Sequence, residues 1–250
     1  MRGSLFSNRI NYYLATLGLL IIWGVLSRII NNPIIIPSPA ETIRSLLEIA
    51  GRERFMMHIS RTLMRSFQSF GLSILFALVA GVLSGLFRWV NHFMVPLLAL
   101  LRSVPTMAVI ILTLIWLSSD TAPILIGIIV VFPILYESVY RGMMNVDIRL
   151  IQMADLYSVS RVEIIKDIYL PTIFMYVGSV IGSSLGLTLK SVIAGEVLGQ
   201  PRFSIGASLQ LEKLFLNTAG VFAWIVVVVI LATALEYLIR FVFARTENWK

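Results

Sequence analysis

The chain has no cysteine, so it forms no disulfides and has no thiol nucleophile. Its two histidines, His58 and His92, lie far apart, each near the edge of an apolar run, so a histidine-based metal site is not expected. The pattern G-x-x-x-x-G-K-[ST] does not occur, and none of the four lysines follows a glycine. The chain therefore lacks the loop that cradles nucleotide phosphates. If ATP drives the process, another polypeptide binds it. Charge is scarce too: 13% of 250 residues, against about 25% in soluble domains. No paired carboxylates, metal cluster or nucleophile–base set stands within the apolar runs, so a membrane-embedded enzyme is the weakest reading.

Apolar residues dominate instead. They make up 58% of the chain, and mean hydropathy is +0.90. Solid apolar runs place spans at roughly 11–30, 67–88, 97–118, 122–140, 172–197 and 219–242. Each is close to the ~20 residues that a helix needs to cross the hydrocarbon. Outer-membrane barrels show weak ten-residue alternation, which is absent here. The expected fold is an all-α membrane protein with six transmembrane helices. Arg2 and Arg9 imitate the basic start of a signal peptide. The run from Tyr12 to Leu26 is long for one, and only Ser27-Arg28-Ile29-Ile30 follows where a cleavage site would stand. A retained anchor is the better reading. Residues 1–66 are read as that anchor plus an external amphipathic segment over 44–65, and residues 67–250 as a five-helix core. The net charge of +7 needs no nucleic acid, because basic loops are ordinary at the inner face of a membrane.

One stretch is too charged to span. Gln152 to Pro171 reads QMADLYSVSRVEIIKDIYLP and holds Asp155, Arg161, Glu163, Lys166 and Asp167. Ile148, Ile151, Ala154 and Leu156 recur at roughly helical spacing. Ser158-Val159-Ser160 then interrupts. Ser160 followed by Glu163 is a capping-box pattern that starts a second helix, with Val162, Ile165 and Ile168 on one face. Pro171 is expected to open the next span. A folded helix-turn-helix between two spans implies a contact outside the membrane.

This segment, 146–170, resembles the EAA coupling loop of ABC-importer permeases. Ala154 takes the second alanine position and Ser158 the glycine position. Ile168, Leu170 and Pro171 fit the end at the family spacing. Gln152, Met153 and Ser158 depart from the family's residues. The resemblance extends over about residues 33–249, to permeases of the nitrate/sulfonate/taurine type. It is carried by Ile36-Pro37-Ser38-Pro39; by His58, Thr62, Leu63 and Arg65; by Pro96 with Leu101-Arg102-Ser103-Val104-Pro105; by Ala194-Gly195-Glu196 with Ile205-Gly206; and by Trp249. Ser118-Ser119-Asp120 departs from the pattern at the end of the third span.

The resemblance implies a type I importer permease in the bacterial inner membrane, with both termini cytoplasmic. It implies a homodimer with the pathway on its two-fold axis. Two cytoplasmic ATPases carrying ATP and Mg would dock on the EAA loops, at Gln152, Ala154, Asp155, Ser158, Arg161, Ile168, Leu170 and Pro171. A substrate-binding protein would dock outside, and membrane lipids would surround the whole. The chain itself would hold no cofactor and no metal.

Candidates for the translocation path are Gly178, Gly182, Gly186, Lys190, Glu196 and Arg102. The three glycines form a G-x-x-x-G-x-x-x-G ridge, suited either to packing within the chain or to a position near the axis. Lys190 and Glu196 are ionisable residues within the fifth span, where charge is costly and marks function by default. The blander alternative puts Glu196 at the outer interface and lets Lys190 and Arg102 snorkel to the span ends. A self-contained secondary transporter or channel is the alternative function. It leaves the folded loop unexplained.

Overall fold

The computed structural model describes the backbone of residues 3–247 and the side chains of residues 14–239 and Phe241. Trp249 and the terminal charges Arg2, Arg9, Arg240, Arg245 and Lys250 lie outside the described side chains. The elements are α1 (Gly3–Ile30), α2 (Pro39–Ala50), α3 (Phe55–Leu86), α4 (Arg88–Ser103), α5 (Thr106–Trp116), α6 (Ala122–Met144), α7 (Ile148–Leu156), α8 (Arg161–Ile164), a π-helical turn (Ile165–Tyr169), α9 (Leu170–Gly199), α10 (Ile205–Leu214) and α11 (Thr218–Glu247). Among the described residues no strand occurs.

Four helical segments are long and apolar enough to cross a membrane: α3, α6, the continuous helix Arg161–Gly199, and Thr218–Ile239 of α11. A fifth crossing exists only if α4 and α5 count together, and they meet at 100°. The expected straight span 97–118 is therefore corrected to a broken pair. The break is at Val104–Pro105. Proline disfavours helical backbone in the residue before it, and Val104 is extended at φ −72°, ψ 127°. Among the described side chains, Leu14–Ile30 form an apolar stretch of α1.

The expected surface segment 44–65 also divides differently. α2 carries its amphipathic part, opened by a capping box between Ser38 and Glu41. Residues from Phe55 onward belong to α3, which runs straight into the second span. The boundary drawn at residue 66 falls inside that helix.

The core is α3, α6 and α9 packed side by side. α3 turns Ser66, Ser69, Ser73, Ala77, Gly81 and Ser84 inward, all buried at three- or four-residue spacing. Between apolar lipid tails, helices gain little from hydrophobicity and associate through close packing and hydrogen bonds. Both are present. Ser69 Oγ donates to the Ile124 carbonyl at 2.9 Å. Tyr136 donates to Ser84 at 2.8 Å, and Ser138 to the Tyr176 carbonyl at 2.7 Å. At Gly142 a Cβ would stand 2.7 Å from the Ile173 Cα, so only glycine lets α6 approach α9 there. The helical hairpins place α7 at one end of the bundle. α2, α10 and the start of α3 lie at the other.

Candidate functional site

The α7 end follows the spacing read from the sequence. Asp147 caps α7 by accepting from the Arg149 amide at 2.9 Å. Ser158 then turns the chain at φ 53°. Left-handed backbone costs a non-glycine residue roughly 1–2 kcal/mol, a cost that the glycine of the pattern this segment resembles would avoid. The Ser160–Glu163 capping box forms in both directions. Past it the expectation needs correction. Pro171 does not open a new helix, because α8, the π turn and α9 form one helix, Arg161–Gly199. The π turn closes with the Leu170 amide on the Ile165 carbonyl. Such single turns insert one residue into a helix and are frequent at functional sites.

Within this loop, Ala154 and Ile164 are buried while other apolar side chains are not. Leu156 is 81% exposed, Val162 74%, Tyr157 74% and Ile148 63%. Gln152, Asp155, Ser158 and Arg161 are exposed, Ile168 is half-buried, and Leu170 and Pro171 are exposed. The loop thus presents apolar side chains, rimmed by charges, that stand exposed among the described residues.

Lys190 and Glu196 part company. Glu196 is fully buried. Thr62 Oγ1 lies 3.0 and 2.9 Å from its two carboxylate oxygens. Arg65 Nη1 pairs with it at 2.9 Å, and the Gly206 amide donates at 3.2 Å. Arg65 also donates to the Phe203 carbonyl at 3.0 Å and to Asp120. Thr62 accepts from the Ile205 amide at 3.0 Å. His58 Nδ1 meets Ser204 and Ser208. The structure thus puts Glu196 in a network that ties α3, α9 and α10 together, not at a lipid interface. Sequence reading missed the network. Its signal was the spacing of His58, Thr62 and Arg65, which stacks all three on one face of α3.

Lys190 is exposed on α9, on a different face. With Ser183, Gly186, Thr233 and Glu236 it lines a groove of about 440 Å³ between α9 and α11. It makes no ion pair among the described residues. Among the described residues no atom stands within 4 Å of where a Gly186 Cβ would sit, so close packing among them does not explain this glycine. Gly178 is half-buried and Gly182 buried. Arg102 pairs with Glu137 and donates to the Pro133 carbonyl at 3.3 Å, both on α6. Among the described residues no cluster of metal-ligating side chains occurs.

Residues 73–248 match the family described as binding-protein-dependent transport system inner membrane component. The chain belongs to this family. It is a multi-pass inner-membrane protein, the permease subunit of an ABC-type importer. The taurine transport system permease protein TauC of Escherichia coli is 27% identical over 97% of this chain and 91% of its own length. The putative aliphatic sulfonates transport permease protein SsuC of Bacillus subtilis is 23% identical over 92% of this chain and 83% of its own. A putative ABC transporter permease protein of Methanocaldococcus jannaschii, MJ0413, is 24% identical over 92% and 88%.

Proposed function

We propose that two copies of this permease form the pathway of a type I importer, and that each offers its 146–170 loop to a cytoplasmic ATPase subunit. The observation that carries this reading is the capped loop with Leu156, Tyr157 and Val162 uncovered. Exposed apolar side chains clustered on a charged, folded loop favour a protein partner. In this orientation both termini are cytoplasmic, α1 is a sixth span, and the α10 end meets a substrate-binding protein outside. ATP and Mg reside in the ATPases. The cargo is a small sulfonate-type anion, by analogy with the relatives' names.

The coupling mechanism follows from the long helix. Arg161–Gly199 has 39 residues, about 58 Å at 1.5 Å per residue. It joins the docking loop to the Glu196–Arg65 network at the far end. When the ATPases close on ATP, the loops move together, and this helix carries the displacement to α3 and α10. The pathway then changes the side to which it opens. Lys190, on the exposed face of the same helix, stands where an anion in the pathway would meet it. Absence of native cysteine makes the test direct. Leu156→Cys in the loop should cross-link to a cysteine on the ATPase, and Leu47→Cys on exposed α2 should not. Equal cross-linking at both, or none at Leu156, would contradict the reading.

A further inference from the structure

At the α10 end, a cleft of about 400 Å³ opens between α3, the α5–α6 turn and the 200–204 loop. Arg61, Arg65, Gln68, Asp120, Thr121 and Arg202 supply its polar lining. The three arginines differ in kind. Arg65 is buried, and its charge is answered by Glu196 and Asp120. It serves as the wall, fixing the Phe203 carbonyl on one side and the α5–α6 turn on the other. Arg61 and Arg202 are exposed, and neither makes an ion pair among the described residues. Arg202 is held over the Phe203 ring at 5.3 Å, which limits the freedom that an exposed arginine would lose on binding.

Among the charged groups that line the cleft or pair with its lining, Arg61, Arg65 and Arg202 face Asp120 and Glu196, and Arg54 adds a further positive charge on the Phe203 ring. The lining and its paired groups carry a positive surplus, and it centres on Arg61 and Arg202, which make no ion pair among the described residues. Guanidinium groups present forked N–H donors that match the oxygens of phosphate-like groups. The Gln68 amide adds donors on the α3 side. The start of α6, which Thr121 caps without a side-chain bond, adds its partial positive charge.

We propose that this cleft is a tetrahedral-oxyanion site, in which Arg61 and Arg202 clasp a sulfonate or phosphate head against the wall built by Arg65 and Asp120. Two sources share that chemistry: the sulfonate of an anionic cargo, and the headgroup of an acidic phospholipid at the membrane edge. Only the cargo source rests on the cargo class proposed above. The site stands without it, and without any role for the docking loop.

The test uses the full permease in zwitterionic lipid nanodiscs. One arm titrates 2-aminoethanesulfonate by calorimetry. The other adds phosphatidylglycerol and counts retained lipid by native mass spectrometry. Wild type should hold at least one of the two, and Arg61→Gln/Arg202→Gln should weaken it at least tenfold. Arg61→Lys/Arg202→Lys should keep part of the binding. Arg44→Gln, on the exposed face of α2, should change nothing. Sulfonate binding alone assigns the site to cargo, and phosphatidylglycerol alone assigns it to lipid. If the double variant does not reach the membrane, Arg202→Gln alone should show a loss of threefold or more. The proposal is overturned if wild type holds neither probe, or if the glutamine variants hold both as wild type does. Loss of binding-protein-stimulated uptake with both ligands retained would also overturn it, and would make these arginines a protein contact.

Discussion

Arg65 and Glu196, 131 residues apart, form a 2.9 Å ion pair with side chains 8% and 0% exposed. Removing one member of such a pair strands the other and costs roughly 3–5 kcal/mol. Here Thr62 and the Gly206 amide would lose their acceptor as well. Glu196→Ala should therefore lower the thermal midpoint in detergent sharply. Arg65→Met/Glu196→Leu should recover part of the loss. Equal stability of Glu196→Ala and wild type would show that the network does not hold α10 in place.

Two glycines should respond in opposite ways. Gly142→Ala drives a methyl into the Ile173 backbone, and overpacking of this kind costs about 1–3 kcal/mol. Gly186→Ala meets open space and should stay within about 0.5 kcal/mol of wild type. Thermal unfolding of the two variants in one detergent reads the contrast directly. In the proposed dimer, Gly186→Leu should reduce transport while leaving insertion intact.

These contrasts show what the sequence makes legible. The capping box at Ser160–Glu163 is local, so three residues of spacing suffice to find it. The same holds for the apolar runs of α3, α6, α9 and α11. The break at Val104–Pro105 was hidden because apolar residues continue on both sides of the proline and read as one span. The π turn leaves no mark in hydropathy, so Pro171 passed for a helix start. The network on His58, Thr62 and Arg65 is half-legible: their shared face follows from spacing, but Asp120 lies 55 residues from Arg65 and the other partners more than 130 residues away. Lys190 and Glu196 sit six residues apart, which turns them to different sides of α9. One side is protein interior and the other is the groove against α11.

Glu41 should titrate low. The Ser38 amide and hydroxyl both donate to its carboxylate, at 2.7 and 2.9 Å, and hold it below the usual carboxylate range. Because the folded-state value is depressed, the cap's contribution is complete above the unfolded value. It is lost as pH falls through the folded one. A carbon-13 carboxyl titration in detergent should give Glu41 a lower midpoint than a peptide glutamate. In Ser38→Ala the midpoint should rise.

Lys190→Met should reduce uptake of a sulfonate cargo severalfold while expression and thermal midpoint stay near wild type. Lys190→Arg should keep part of the activity. Full activity of the methionine variant would remove Lys190 from the pathway and leave its charge at the membrane edge.

The central claim, that the 146–170 loop docks the ATPase, is tested most directly by co-purifying the ATPase with Leu156→Asp/Val162→Asp permease. Both side chains are exposed, so neither change disturbs the protomer's own packing. Aspartate is preferable to proline at Val162, the second residue after the Ser160 cap, because the first helical turn tolerates proline. The account predicts permease inserted at wild-type level with the ATPase lost from the eluate and uptake abolished. ATPase recovered in wild-type amount, with uptake unchanged, would contradict it.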